Sequence, residues 1–300
     1  MKIPQPIPYQ GSKRALAPLI LKYFPAKINR LIEPFAGSSA ITVATAIRSK
    51  ASKYWINDLN QPLVTLIEEI VNNPEKISSN YKDVWIKQLG NEKKYYKEIR
   101  NRFNTHSRPE DFLYVLARCI KGAVRYNSIG EFNQSPDNRR KGKLPKTMRK
   151  EIFQISNLLK GKTKFTATDY SHIFQEANEL DLIYMDPPYQ GTSNKKDSRY
   201  LAGLNLEEFI LNLELLNLKN VPYLISFDGK LGNKSYGNDL PKALQLRKIM
   251  IEVGRSTTST LLGQDEITYE SLYLSKALVQ RIKIELPKEV ALKPKQLQLL

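Results

Sequence analysis

The period of the apolar positions changes twice along the chain. Near the start, Arg30-Leu31-Ile32-Glu33 is a short apolar run that stops at Pro34, which reads as a buried strand. The turn Pro34-Phe35-Ala36-Gly37-Ser38-Ser39 follows, and the small, apolar stretch from Ala40 to Arg48 predicts a helix. A second strand over Lys53 to Ile56 closes on Asn57-Asp58, completing a strand-turn-helix-strand unit; ahead of it, a loop over Pro6 to Lys13 leads into a helix over Arg14 to Tyr23.

From Pro62 the spacing becomes helical. Leu63, Leu66, Ile67, Ile70 and Val71 share one face, as do Tyr95, Ile99 and Phe103, then Phe112, Leu116, Cys119 and Ile120; no strand signal appears for about a hundred residues. Strands then resume. Leu180 to Met185 runs directly into Asp186-Pro187-Pro188-Tyr189, Asn205 and Glu208 mark the start of a helix to about Leu218, and Val221 to Phe227 forms the next strand. Ile249 to Val253 and Tyr269 to Leu274 predict two closely spaced strands suited to an antiparallel edge on an otherwise parallel sheet. The expected fold is therefore α/β, with a sheet domain over 1–61 and 166–300 and a mostly helical insertion over 62–165.

Charge adds a partner to this picture. The chain has 300 residues and a formal net charge of +17, more than solubility requires, which points to a polyanion such as nucleic acid. Arg118 to Lys164 holds thirteen Lys or Arg against three acids, a surplus of ten of those seventeen charges. Gly130, Pro136, Gly142 and Pro145 interrupt this stretch, so its cations are expected on loops. No run of about 18 apolar residues and no secretory pattern at the N-terminus occurs, so a cytoplasmic protein without membrane contact is expected. With one cysteine and only His106 and His172 beside it, no metal site is expected, and Cys119 reads as core rather than as a nucleophile.

Three unusual segments fall at strand ends, where ligands of open parallel sheets bind. Gly37 lets backbone amides approach a ligand, and Asp58 lies 21 residues further on, about where an acid meets a ribose hydroxyl; a small-residue turn is equally common as plain punctuation, and both readings stand. Asp186-Pro187-Pro188-Tyr189 is more specific. Its prolines remove backbone donors, leaving carbonyls and a carboxylate to accept hydrogen bonds. Accepting both hydrogens of a planar amino group frees the nitrogen lone pair toward an electrophilic methyl, and Tyr189 offers a stacking face for an extruded base.

Together, Tyr9-Gln10-Gly11-Ser12-Lys13, Pro34-Phe35-Ala36-Gly37, Asn57-Asp58 and Asp186-Pro187-Pro188-Tyr189 resemble, in order, the motifs of the Dam-type (class alpha) site-specific DNA adenine methyltransferases. Arg125-Tyr126-Asn127, Gly130-Glu131-Phe132-Asn133 and Arg255-Ser256 resemble weaker landmarks of that family. The resemblance implies a Rossmann-like S-adenosylmethionine-dependent sheet with an inserted target-recognition domain. It implies Tyr9, Lys13, Pro34, Phe35, Ala36, Gly37, Asp58 and Asp186 at the cofactor, and catalysis at Asp186, Pro187, Pro188 and Tyr189 on the 6-amino group of a flipped adenine. Double-stranded DNA is the implied partner, with Arg125, Asn127, Arg139, Arg140 and Lys141 as contact candidates. A restriction endonuclease acting separately would fit such an enzyme, and a monomer is expected. Two positions depart from the family pattern: Tyr9 stands where tryptophan is frequent, and Ser39 where a second glycine is usual, placing a side chain near the ligand. Methylation of a cytosine ring carbon, which needs a cysteine nucleophile, is set aside. Transfer to the 4-amino group of cytosine, to an RNA base amine, and loss of activity on a retained scaffold remain alternatives, with Asp186 favouring adenine.

Overall fold

The computed structural model describes residues 2–188, 204–231, 234–235, 239–255 and 267–285. Its sheet begins with β1 (Ile28–Glu33) and β2 (Ala51–Asn57), joined through the helix α2 (Ala40–Ile47); a short helix α1 (Ala17–Ile20) with a following 3-10 turn precedes them. Five helices then follow: α3 (Gln61–Asn72), α4 (Pro74–Lys87), α5 (Glu92–His106), α6 (Pro109–Arg118) and α7 (Pro145–Leu159). The chain returns to the sheet through β3 (Thr163–Thr166), α8 (Tyr170–Glu176), β4 (Asp181–Met185), α9 (Leu206–Leu218) and β5 (Tyr223–Leu231). It closes with β6 (Lys234–Ser235), β7 (Arg247–Arg255), β8 (Ile267–Leu274) and α10 (Lys276–Glu285).

The strand order is β3-β2-β1-β4-β5-β8-β7, with β6 paired to β5. The first five strands pair in parallel and β8 pairs antiparallel with both β5 and β7, as expected for a parallel sheet with an antiparallel edge. Because side chains alternate across a strand, the sheet separates two apolar layers. Leu31, Tyr54, Ile56, Leu182 and Leu224 face α2 and the helical stretch, whereas Ile32, Trp55, Ile183, Met185 and Ile225 face α8 and α9. Leu63, Leu66, Ile67, Ile70 and Val71 of α3 belong to the first layer, so the predicted helical face is buried against the sheet's own core. The order of the parallel strands reverses at β1 and β4, which opens a crevice at their carboxyl ends.

Some elements differ from expectation. The helix predicted over Arg14 to Tyr23 is confined to one α turn and one 3-10 turn. β3 was not predicted, since Thr163-Lys164-Phe165-Thr166 carries one apolar side chain and owes its extended form to pairing with β2. Pro145 opens the 15-residue α7 instead of breaking a helix, because an N1 proline lacks only an amide that would be unpaired anyway. Lys146, Arg149 and Lys150 are therefore helical, while 125 and 139–141 lie on loops. Helix α6 ends at Arg118; Cys119 is buried at its C-cap, but Ile120 is 40% exposed and leaves the predicted stripe. Burial pushes the Cys119 thiol up to about 12, unsuited to a nucleophile. Among the described residues, no helix is long and apolar enough to cross a membrane.

Candidate active site

The turn after β1 is shaped by one glycine. Gly37 has φ +48°, and a Cβ there would come within 3.0 Å of the Tyr9 ring, so the aromatic packs directly on the turn. The Gly37 amide donates to Asp58 Oδ2 at 2.8 Å, and the Asn60 amide donates to Asp58 Oδ1 at 3.0 Å. The pair spaced 21 residues apart in sequence is thus in direct contact. Burial raises the Asp58 carboxyl above its usual range, opposed by these two amides.

Asn57, fully buried, locks the neighbouring strand ends. Its Nδ2 donates to the carbonyls of Pro34 and Thr168, each at 2.9 Å, and its Oδ1 accepts from Thr166 Oγ1 at 2.7 Å and the Thr168 amide at 3.1 Å. One side chain therefore joins the ends of β1, β2 and β3.

At the end of β4, Asp186 Oδ1 lies 3.3 Å from Lys13 Nζ, which also meets Glu270 Oε1 of β8 at 2.5 Å. Burial lifts the Asp186 carboxyl to about 6, with Lys13 pulling it down and Glu270 pushing it up. Burial alone would depress the Lys13 ammonium, but Asp186 and Glu270 outweigh it and hold the group above its ordinary range. Glu33, at the end of β1, is 2% exposed and accepts from the Thr42 amide at 2.9 Å. Burial raises it to about 7 despite the Thr42 bonds.

Lys13, Glu33, Asp58 and Asp186 open onto a cavity of about 230 Å³ at the switch point. Tyr9, Lys13, Pro34, Phe35, Ala36, Gly37, Asp58, Asp186, Pro187 and Pro188 all line it. Tyr189 and Ser256 lie outside the described residues, as does the side chain of Arg255. The loop around Ser39 corrects an expectation. Ser39 has φ +55° and is 1% exposed, and it lines a separate small hollow behind the turn, so its side chain does not enter the cavity.

The DNA-contact candidates sit elsewhere. Arg125 is exposed between Val124, which lines the cavity, and Tyr126, whose hydroxyl meets Asn60 Oδ1 at 3.2 Å. Asn127 spends its carbonyl on the amides of Ile129 and Glu131 and its amide on Glu131 Oε2, shaping a turn. Arg139 and Arg140 pair with Asp137, and Lys141 with Glu92, while remaining 89%, 70% and 62% exposed.

Sequence reasoning missed Glu33, the Thr168-Asp169-Tyr170 wall and Glu270. Glu33 carried a signal, a carboxylate closing an apolar strand. So did Asp169, which caps α8 by accepting the Ser171 amide. Glu270 had none, because a strand brings it to Lys13 from 257 residues away. Among the described residues, no group of three His, Cys, Asp or Glu is placed to hold a metal ion.

The residues present fit a cationic nucleoside. Asp58 retains acceptor capacity beyond its two amides, Phe35 and Tyr170 place ring centroids 5.2 Å apart on one wall, and carboxylates cluster on another.

Comparison with known proteins gives the family. The chain is 31% identical over 191 residues to the type II methyltransferase M1.LlaDCHI of Lactococcus lactis subsp. cremoris, covering 60% of this chain and 64% of that protein. It is 30% identical over 190 residues to the retron Ec67 DNA adenine methylase of Escherichia coli, covering 61% and 63%. Against the DNA adenine methylase of Haemophilus influenzae it is 29% identical over 199 residues, covering 65% and 67%. The match thus spans slightly under two thirds of the first two relatives. A family model matches residues 9–220, from Tyr9 across the cavity to the far end of α9, and the chain belongs to the D12 class N6 adenine-specific DNA methyltransferases.

Proposed function

We propose that this protein transfers a methyl group from S-adenosylmethionine to the 6-amino group of an adenine in double-stranded DNA. The observation that carries the reading is Asp186 beside Lys13 in the same cavity as the Asp58-Gly37 turn. When bound, the cofactor would supply an electrophilic sulfonium methyl.

Asp58 would accept the ribose hydroxyls, Tyr9 and Gly37 would close the cavity over the cofactor, and Phe35 and Tyr170 would offer faces to its purine. Asp186, with a pKa of about 6, is mostly ionised at neutral pH and can accept an amino hydrogen of a flipped base. Pro187 and Pro188 have no amide hydrogen to compete for the base, so their turn offers acceptors only. Positive charge developing on the amine would strengthen these bonds, and positioning and electrostatics would supply the rate without a covalent intermediate. Residues 62–165 would read the DNA, with Arg125 at the cavity rim and Asn127, Arg139, Arg140 and Lys141 on phosphates or base edges.

Labelled methyl transfer from S-adenosylmethionine to duplex DNA tests the reading, with a matched RNA duplex as control. Label in DNA supports it, and label in RNA alone rejects it.

A further inference from the structure

Among the charges that act on the cavity's carboxylates, one is supplied from beyond the family-matched segment. Glu270 of β8 lies past residue 220, yet its Oε1 is nearer to Lys13 Nζ, at 2.5 Å, than Asp186 is, at 3.3 Å. The same oxygen accepts from the buried hydroxyl of Ser226 on β5 at 2.6 Å. Strand pairing is irregular just here: β5 advances three residues from Ser226 to Gly229 while β8 advances two, from Leu272 to Glu270. A bulge of this kind re-aims side chains beside a site.

We propose that Glu270, fixed by Ser226, is a positioning residue for the methyl-transfer site, drawing the Lys13 ammonium partly away from Asp186 so that Asp186 keeps lone pairs free for the target amine. The inference rests on the proposed function and deepens it. A buried ammonium 9% exposed needs an anionic partner, and with Asp186 alone it would settle fully on that carboxylate. The lone pairs required by the amine would then be occupied. With Glu270 competing, Lys13 is neutralised from the β8 side and Asp186 stays a receptive acceptor. The groups facing Asp186 are Lys13 from the N-terminal loop, Glu33 from β1, Tyr184 from β4 and Glu270 from β8; of the carboxylates among them, Glu270 is the one bound to Lys13. Its negative charge also holds the Asp186 carboxyl up.

The test pairs Glu270→Gln with Glu270→Asp. Glutamine keeps an acceptor for Ser226 and removes the charge, whereas aspartate keeps the charge. The Asp186 carboxyl is titrated by carbon-13 NMR in the protein without cofactor, with Asp186→Asn identifying the resonance. Its midpoint should fall below the wild-type value in Glu270→Gln and stay near it in Glu270→Asp. In turnover, Glu270→Gln should lose roughly tenfold in kcat at little cost in KM, the scale of one misplaced charge-assisted hydrogen bond. The acid limb of its pH profile should move to lower pH. An unchanged Asp186 midpoint in folded Glu270→Gln overturns the inference, as does a lower Tm with an unshifted pH profile. Wild-type protein that binds S-adenosylmethionine but methylates no DNA would reject the functional reading instead, and the titration would still decide the role of Glu270.

Discussion

At the strand ends the polar side chains are committed to one another. Both oxygens of Asp58 accept amides, Asn57 joins three strands, and Lys13 lies between Asp186 and Glu270. In the basic stretch, by contrast, Arg139 and Arg140 share a single acid and stay 89% and 70% exposed. The first arrangement is preorganised for a fixed reacting geometry, in which little reorganisation accompanies the reaction. The second consists of solvated cations on loops, the arrangement that the proposed phosphate contacts would need, since such contacts release counterions. Chemistry and binding should therefore be separable by mutation.

The largest separation is expected from Asp186→Ala, which should lower methyl transfer roughly thousandfold, at the upper end for removing one electrostatic group. DNA affinity measured by anisotropy should stay close to wild type. A matching loss of binding would merge the two regions. Next, Asn57→Ala should cost about 3 kcal/mol in urea unfolding, because it strands several buried carbonyls and hydroxyls at once. A loss under 1 kcal/mol would mean that the strand ends hold together without it.

Neutralising Arg139, Arg140 and Lys141 together should weaken DNA binding about tenfold and reduce the slope of log affinity against log salt by up to roughly three, leaving kcat at saturating DNA intact. An unchanged slope would turn this loop away from DNA. The smallest effect sharpens the account of the cofactor turn. Ser39 holds a left-handed conformation with its hydroxyl buried and unpaired, so Ser39→Gly should stabilise the fold by about 1 kcal/mol without altering cofactor affinity. A tenfold change in that affinity would place the side chain in the site after all.

The parallel strands β1, β2 and β4 were legible because their apolar runs end in unusual turns: Glu33 before Pro34, Ile56 before Asn57-Asp58, and Met185 before Asp186. Local order could not reveal β3, whose single Phe165 gives no periodic signal, nor α7, whose opening proline reads as a break until its place at N1 is known. The cavity shows the same division. Lys13, Asp58 and Asp186 belong to motifs that announce themselves by composition. Glu270 lies within an ordinary alternating strand, and only the pairing of β8 with β5 brings it to Lys13. Nor could local order reveal that Asn127, a candidate DNA contact, shapes its own turn by accepting from the amides of Ile129 and Glu131.

The most direct test is to methylate unmodified duplex DNA with purified protein and labelled S-adenosylmethionine, digest it to nucleosides and separate them. The account predicts label in N6-methyldeoxyadenosine, lost with Asp186→Ala. Label in N4-methyldeoxycytidine, or equal labelling by the Asp186→Ala protein, would contradict it.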